Sequence, residues 1–281
     1  MKRVLFLFII ALAACSKSDV EFTVDVMNRY TPVKNQGRSQ TCWAYAMLSA
    51  IETEHIMRGD SVHLSVAFVE KIINQEADMP EKKRGMGMTL INIIQKYGVV
   101  PYESMRDTLI PLPHKAFMLG ADYTLQEFAR SVCAPDEYVG IGCTSSQPLY
   151  TMFEPRLPDN WEHNQLLNVA QDSLVSIAAR AVAAHRGVCW EGDTSEPGFD
   201  WKEGVARLSF INGTTTDDHC MAIVGLAHDA KGERYFVMKN SWGRRNKYRG
   251  LMFMHEDYLR EKTIALYLPR DIVSTTPNYT D

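Results

Sequence analysis

The chain has 281 residues, of which 46% are hydrophobic and 23% are charged. This composition is typical of a globular protein and excludes the disordered and collagen-like classes. Thirty basic residues stand against thirty-four acidic ones, so the net charge of −4 gives no basic surplus that would favour nucleic-acid binding. The length allows one large domain or two lobes around a cleft.

The N-terminus has the pattern of a targeting segment. Lys2 and Arg3 precede an apolar run over residues 4–13, which is shorter than the about 20 residues that a transmembrane helix needs and fits a secretory signal. The sequence LAAC that ends at Cys15 resembles the bacterial lipobox, in which the cysteine is lipidated; a plain signal with cleavage nearby is the alternative. The sequence therefore predicts a signal over 1–15, a polar tether over 16–25, and a lipid-anchored protein of the bacterial cell envelope.

Hydrophobic periodicity predicts helices in the first half of the chain. Between Cys42 and Gly59 the apolar residues recur at helical spacing, and Gly59 stands where a helix would end. The other predicted helices cover residues 64–77, 89–97 and 164–186.

After Gly187 the apolar period changes to two, which is typical of strands. Because helices dominate the first half and strands the second, the sequence predicts an α+β protein with a helical lobe and an antiparallel sheet lobe. A site between two such lobes is expected in the cleft where they meet. The predicted strands cover residues 188–191, 207–211, 220–227, 235–239, 250–254 and 264–268.

Cys42 lies where the first predicted helix begins, directly before Trp43 and six residues after Gln36. A helix N-terminus carries about half a positive charge and presents N–H groups that have no partner inside the helix. Both features favour a thiolate over a thiol and so lower the pKa of a cysteine. The alternative is a buried structural cysteine, which is the common fate of this residue type.

Two later segments favour the reactive alternative. His219 lies at the start of a predicted strand, and Asn240 lies at the end of the next one. An imidazole beside a thiol can take its proton and form a thiolate–imidazolium pair. An amide oxygen at the far ring nitrogen fixes the tautomer and orientation of the ring, and Trp242 can shield that hydrogen bond from water.

The segments QG, CW, DH and KNSWG, taken in this order, resemble the motifs of the papain-like cysteine peptidases. The resemblance implies a papain-like two-lobed fold over residues 26–270, with the active site in the cleft. It implies Cys42 as the nucleophile, His219 as general base and later acid, and Asn240 as the residue that orients the ring. Gln36 matches the glutamine whose amide N–H joins the nucleophile's backbone N–H in the oxyanion hole.

Other stretches resemble the bleomycin hydrolase and aminopeptidase C branch of that family, among them KYGVVP over 96–101 and GVCWEGD over 187–193. This resemblance implies an aminopeptidase mode, in which a C-terminal tail reaches the cleft; here the tail is predicted over 271–281. An endopeptidase mode is the alternative.

The resemblance also implies substrate contacts in the loop before the third helix, at Gly85 and Gly87. A glycine there lets the substrate backbone approach closely, which a Cβ would hinder; an ordinary loop is the alternative. Trp43 and Trp242, which adjoin the nucleophile and the orienting asparagine, are the other candidate substrate-binding residues.

Six cysteines occur in the chain. With Cys15 assigned to lipid and Cys42 to chemistry, four remain, and they allow two disulfides in three connectivities. The spacing matches no zinc site, and no metal or organic cofactor is implied. The four are Cys133, Cys143, Cys189 and Cys220.

The sequence thus predicts a cysteine peptidase that hydrolyses peptide or protein substrates through an acyl-thioester on Cys42. A catalytically silent, peptide-binding surface lipoprotein with the same fold is the alternative. The predicted partners are a peptide substrate and, through the N-terminal lipid on Cys15, a membrane. The sequence does not predict the oligomeric state.

Overall fold

The structure is a computed structural model, and it describes residues 20–75, 84–210 and 213–274. Over these residues the chain forms seven α-helices, thirteen strands and a 3₁₀ turn at Tyr102–Ser104. The helices are α1 Cys42–Arg58, α2 Val66–Gln75, α3 Gly87–Tyr97, α4 Leu125–Val132, α5 Gln171–Ala183, α6 Glu256–Lys262 and α7 Arg270–Ser274. The strands are β1 Phe22–Met27, β2 Lys115–Met118, β3 Ala121–Thr124, β4 Tyr138–Gly142, β5 Met152–Phe153, β6 Leu166–Asn168, β7 Val188–Gly192, β8 Phe199–Asp200, β9 Val205–Ala206, β10 His219–Asp229, β11 Arg234–Lys239, β12 Leu251–His255 and β13 Thr263–Pro269.

One large sheet contains eleven of these strands. Its order is β5–β6–β4–β13–β7–β10–β11–β12–β9–β8, with β1 also paired to β10, while β2 and β3 form a separate hairpin. β10 pairs antiparallel with β11, with Ala222 opposite Lys239. The first residue of β10, His219, and the residue that follows β11, Asn240, therefore lie at the same edge of the sheet.

The buried hydrophobic residues lie on two faces of the sheet, because neighbouring strand residues point to opposite sides. On β7, Cys189 belongs to the core that the sheet forms with α1–α4, which we call the helical-lobe core. Its neighbour Trp190 belongs to the core formed with α5–α7, which we call the sheet-lobe core. The α+β prediction is confirmed, and α1 begins where the helical-lobe core meets β10.

Two elements differ from the sequence predictions. The long helix predicted over 164–186 is wrong at its start, because residues 166–168 form β6, pair with β4 and β5, and are buried. Spacings of three and four do not distinguish a short buried strand followed by a helix from one continuous helix. The strand predicted over 207–211 is also wrong for 207–210, since the pairing there is made by Val205–Ala206 with β12; residue 211 lies outside the described residues.

Helix α4 was not predicted, although the sequence carries a signal for it. Thr124 Oγ1 accepts a hydrogen bond from the backbone N–H of Glu127, and the Glu127 carboxylate accepts one from the backbone N–H of Thr124. This reciprocal capping box marks a helix start in the sequence TLQE.

The folded part extends beyond the predicted 26–270 at both ends. β1 begins at Phe22, inside the segment predicted as a tether; it pairs with β10, and its Val26 packs against the sheet-lobe core. α7 ends at Ser274 and buries Ile272 and Val273, inside the predicted C-terminal tail. The predicted signal with Cys15, residues 16–19, and residues 275–281 lie outside the described residues. None of the helices in the described ranges is both long and apolar enough to cross a bilayer.

Candidate active site

Helix α1 places Cys42 at the cleft, as the first residue of a 17-residue helix. The carbonyl oxygen of Thr41, which precedes Cys42, accepts hydrogen bonds from the backbone N–H groups of Ala44 and Tyr45 at 2.9 and 3.2 Å. The first turn contains no acidic side chain that would offset the helix dipole. The half-buried sulfur therefore lies in the positive field of the helix N-terminus.

The imidazole of His219 and the amide of Asn240 form a buried pair at the adjoining sheet edge. His219 Nε2 lies 2.8 Å from Asn240 Oδ1, and the two residues are 3% and 2% exposed. Asn240 Nδ2 faces Met252 Sδ at 3.7 Å, which assigns the amide oxygen to the ring. His219 Nε2 therefore carries a proton, and Nδ1 is the ring atom that can hydrogen-bond with Cys42.

Trp242 covers this pair. Its ring centroid lies 4.5 Å from that of His219, with the planes tilted by 30°. Trp201 and Phe199 pack edge-on against Trp242, at centroid distances of 5.4 and 5.9 Å. The Trp242 ring therefore covers one face of the His219 ring and shields the His219–Asn240 hydrogen bond from water, as the sequence predicts.

The pKa of the Cys42 thiol is held well below its ordinary value. The largest contribution is a hydrogen bond from the thiol of Cys220, followed by a hydrogen bond and a favourable charge interaction with His219. Burial acts in the opposite direction, because it disfavours the charged thiolate. The balance favours the thiolate form of Cys42, which is the nucleophilic form.

Gln36 reaches the site because residues 34–36 pair with the chain that follows β11. Its backbone N–H donates to the carbonyl of Ser241 at 2.8 Å, and the Ser241 hydroxyl donates to Gln36 Oε1 at 2.5 Å. Gln36 Nε2 donates one hydrogen to the carbonyl of Ser39 at 2.8 Å. An amide nitrogen carries a second hydrogen, which can serve an oxyanion together with the backbone N–H of Cys42.

Two of the candidate substrate-binding residues, Trp43 and Gly87, are buried in packing contacts. Trp43 is 1% exposed and belongs to the helical-lobe core, so its ring offers no surface to a substrate; this correction follows from its place inside α1. A Cβ on Gly85 would lie 3.2 Å from the Trp43 ring. The backbone N–H of Gly87 donates to Glu191 at 3.1 Å, and a Cβ on Gly87 would lie 2.4 Å from the Tyr267 ring. Gly87 is therefore required for packing, and substrate contact remains a prediction for Gly85.

Comparisons with known proteins agree with this geometry. The model of the family described as papain family cysteine protease matches residues 153–266, which include His219 and Asn240. A viral cathepsin of Epiphyas postvittana nucleopolyhedrovirus is 24% identical over 230 residues, which are 81% of this chain and 56% of the relative. Ananain of Ananas comosus is 23% identical over 221 residues, 76% of this chain and 49% of the relative. The chain thus spans about half the length of these curated relatives.

A solved structure supports the fold more broadly. The crystal structure of PepW from Lactobacillus rhamnosis HN001 matches with a TM-score of 0.69, over 89% of this chain and 82% of that chain, at 15% identity. The fold is papain-like, as predicted. Over residues 153–266 the chain is similar to the papain family cysteine proteases.

Sequence reasoning missed a buried carboxyl pair in this papain-like cleft. Glu191 is completely buried, and its Oε2 accepts hydrogen bonds from the Tyr267 hydroxyl at 2.7 Å and from the Gly87 N–H at 3.1 Å. Burial, and then Asp217, raise the pKa of Glu191 well above its usual range. Burial, and then the charge of Asp159, raise the pKa of Asp217 to about 7.

Burial favours the protonated, neutral form of both carboxyl groups. Among the described residues, no N–H or O–H group donates to Glu191 Oε1 or to Asp217 Oδ2, although both atoms are buried. An interaction with the Glu191 side chain partly offsets the rise in the pKa of Asp217, so the two carboxyl groups lie close together. The charge of the Cys42 thiolate also raises the pKa of Asp217, which places the pair close to the nucleophile.

Arg84 connects the loop before α3 with the loop before β10. Its Nη2 donates to the carbonyl of Asp217 at 2.5 Å, and its Nε donates to the Asp159 carboxylate at 2.6 Å. Trp161 Nε1 donates to the carbonyl of Arg84 at 2.8 Å and so fixes the backbone from which the side chain extends. Arg84 therefore forms a bridge between the two lobes beside the carboxyl pair.

The described cysteines do not form the disulfides that their number allows. Cys42, Cys133, Cys143, Cys189 and Cys220 all have free thiols. Cys143 is exposed, whereas Cys133, Cys189 and Cys220 are buried. Within the ranges that the structure describes, no group of three or more histidine, cysteine, aspartate or glutamate side chains could hold a metal ion.

Proposed function

We propose that the chain is a cysteine peptidase that hydrolyses peptide bonds through an acyl-thioester on Cys42. The observation that carries the proposal is the Cys42 thiolate beside His219, whose far ring nitrogen is held by Asn240 at 2.8 Å. A peptide-binding protein without turnover would not need this arrangement of nucleophile, base and orienting amide.

The residues present supply each step of the reaction. The Cys42 thiolate attacks the peptide carbonyl carbon, and the backbone N–H of Cys42 and Gln36 Nε2 stabilise the oxyanion. His219, as imidazolium, protonates the leaving amine, and the acyl group remains on the sulfur. A water molecule then gives a proton to His219 and attacks the thioester, which releases the acid and restores the thiolate.

An epoxysuccinyl inhibitor and a panel of fluorogenic peptides test this function. We expect hydrolysis that stops when one inhibitor molecule is bound per chain, with the adduct on Cys42. Exposed Cys143 serves as the internal control and should carry no adduct, because it lacks a neighbouring imidazole. Folded protein that binds the peptides without cleaving them, and that gains no adduct, would instead be the silent peptide-binding lipoprotein.

The finer proposal is an aminopeptidase mode of the bleomycin hydrolase and aminopeptidase C type. Two observations support it. Arg84 Nη2 donates to the carbonyl of Asp217 at 2.5 Å, two residues before His219, and we expect this bridge to limit how far a peptide extends along the cleft. Asp217 is partly exposed beside the catalytic strand, and we expect its carboxylate to receive a free amino terminus, because hydrogen bonds between charged groups are the strong ones.

Peptides with free and acetylated N-termini distinguish the two modes. We expect kcat/KM to be about tenfold higher for the free amine, which corresponds to about 1.4 kcal/mol. Arg84→Ala removes the bridge and should raise the relative rate on the acetylated peptide. Lys96→Ala, on helix α3 and away from the bridge, is the matched control. Equal rates on both peptides in the unmodified chain would show an endopeptidase.

We also propose that the protein is anchored to the bacterial envelope through lipid on Cys15. The support is the sequence alone, since the apolar run over 4–13 precedes LAAC and the cysteine lies outside the described residues. Labelled palmitate should enter the wild-type protein in cells. Incorporation that persists in Cys15→Ala would contradict the anchor.

A further inference from the structure

Cys220 lies directly beside the nucleophile. It follows His219 on β10, is 3% exposed, and belongs to the helical-lobe core, against which Cys42 packs. His219 and Cys220 are the first two residues of β10, and the side chains of both interact with Cys42 at the start of α1. Because α1 packs on β10, the two thiol side chains lie close enough to interact, and this interaction lowers the pKa of Cys42 and raises that of Cys220.

The two sulfurs differ in their protonation. Cys42 is half-buried at the cleft and is held as a thiolate, which is the form that peroxides oxidise. Cys220 is buried, and this burial, a hydrogen bond with Cys189 and the interaction with Cys42 raise its pKa well above the ordinary value. An oxidant from solvent therefore reacts at Cys42 and not at Cys220.

We propose that Cys42 and Cys220 form a reversible redox pair, in which Cys220 converts an oxidised Cys42 into a Cys42–Cys220 disulfide that stops catalysis. This inference rests on the proposed function, because it assigns a regulation to the same site. The nucleophile and its neighbouring thiol come from two elements, α1 and β10, that the fold packs together.

The oxidant is a peroxide, and the steps balance. The Cys42 thiolate attacks one oxygen of hydrogen peroxide, the O–O bond breaks, and hydroxide leaves while Cys42 becomes a sulfenic acid. The sulfur of Cys220 then attacks the Cys42 sulfur, the S–O bond breaks, and the thiol proton leaves with the hydroxide as water. Cys42 and Cys220 together lose two electrons to the peroxide, and a dithiol returns them.

Oxidation itself favours the second step. The Cys42 thiolate is one of the groups that hold the Cys220 thiol in its protonated form. A sulfenic acid at Cys42 is neutral and removes this effect, so Cys220 ionises more readily when its attack is required. The resulting disulfide also protects Cys42 from sulfinic and sulfonic acids, which are not reversed by thiols.

The test treats the reduced full chain with a small molar excess of hydrogen peroxide and then blocks remaining thiols with N-ethylmaleimide. Non-reducing peptide mapping should find Cys42 joined to Cys220, and dithiothreitol should restore peptide hydrolysis. In Cys220→Ala the fraction of activity that dithiothreitol restores should be roughly tenfold smaller, because the sulfenic acid proceeds to irreversible forms. Cys143→Ser, which changes an exposed thiol elsewhere, should recover like the wild type.

A disulfide between Cys189 and Cys220 would contradict the proposal most directly. The Cys189 thiol also contacts Cys220, so a Cys189–Cys220 disulfide with Cys42 left as a sulfinic acid would overturn the proposal. Equal recovery in wild type and Cys220→Ala would overturn it as well. Peptide mapping detects the disulfide without a peptidase substrate, so its result does not depend on the peptidase activity. A chain that forms the Cys42–Cys220 bond but never hydrolyses peptides would thus reject the peptidase function and leave the redox pair intact.

Discussion

His219→Ala should lower kcat/KM for peptide hydrolysis by at least about 10⁴-fold while the protein remains folded. The imidazole has three tasks in this site: it stabilises the Cys42 thiolate, protonates the leaving amine and activates the hydrolytic water. The other residues of the site cannot replace it, because Asn240 is an amide and the Glu191–Asp217 pair is held in its own hydrogen bonds. Steady-state kinetics with a fluorogenic peptide measures the loss.

The same variant should shift the pH dependence of Cys42 alkylation. The interaction with Cys220 lowers the Cys42 pKa most. A hydrogen bond and a charge interaction with His219 lower it further. Without the imidazole the thiolate is less stable, so the rate of reaction with iodoacetamide should rise at a higher pH than in the wild type. A merely structural role for His219 would leave that profile in place.

His228→Ala is the matched control for this prediction. His228 lies on the same strand as His219, near the end opposite the active site, and its ring contacts the exposed Asp25 carboxylate at 2.9 Å. Both the peptidase rate and the alkylation profile should match the wild type. A His219→Ala protein that keeps more than about a tenth of the wild-type rate would contradict the role given to His219 in general acid–base catalysis.

The catalytic residues could be predicted from the sequence because each lies at the end of a regular element. Cys42 begins α1, His219 begins β10 and Asn240 follows β11, so local patterns fixed their backbone positions. Antiparallel pairing of β10 with β11 then brings the last two together. The family resemblance supplied the remaining step, which is the contact between helix and sheet.

Contacts between distant segments could not be predicted in this way. Arg84 meets Asp217 across 133 residues of chain, and Glu191 meets Gly87 across 104. Neither pair has a local pattern, because an arginine or a glutamate in a loop or strand is usually exposed. The contact of Cys220 with Cys42 has the same origin: the sequence shows a cysteine after the histidine, and only the packing of α1 on β10 shows what it touches.

The ends of the folded part were misplaced for a related reason. Phe22 and Val26 look like residues of a short polar tether because Glu21, Thr23 and Asp25 alternate with them. That alternation is also the pattern of a strand with one covered face, and the decisive partner, β10, lies about two hundred residues away. A period of two that is only a few residues long carries too little information to separate the two cases.

Glu52→Ala should lower the free energy of unfolding by about 3–5 kcal/mol, which is the cost of breaking a buried ion pair by removing one partner. Glu52 lies on α1 and is completely buried. Its carboxylate accepts hydrogen bonds from the Lys34 ammonium at 3.2 Å, the Leu64 N–H at 2.7 Å and the Thr31 hydroxyl. Lys239, also buried, donates to Thr31 at 2.9 Å, so two ammonium groups depend on this one carboxylate.

The charges of Glu52, Lys34 and Lys239 also make the free energy of unfolding depend on pH. Burial on its own would raise the pKa of Glu52, but the charges of Lys34 and Lys239, together with the hydrogen bonds from Thr31 and Leu64, outweigh burial and hold the pKa below the usual value. A carboxyl whose folded-state pKa is depressed stabilises the fold above its unfolded pKa, and this contribution is lost as the pH falls through the folded value. The stability difference between wild type and Glu52→Gln should therefore be largest near neutral pH and shrink in acid.

Urea unfolding at several pH values measures both effects. Glu203→Ala removes an exposed carboxylate and should change the free energy of unfolding by less than about 0.5 kcal/mol. Adding Lys239→Met to Glu52→Ala should recover part of the loss, because burial lowers the pKa of Lys239 to about 8 and the Glu52 charge is a main group that opposes this. A loss of stability in Glu52→Ala no larger than that of the exposed control would contradict this prediction. The ion pairs of Glu52 with Lys34 and Lys239 would then contribute little to holding α1 against the sheet.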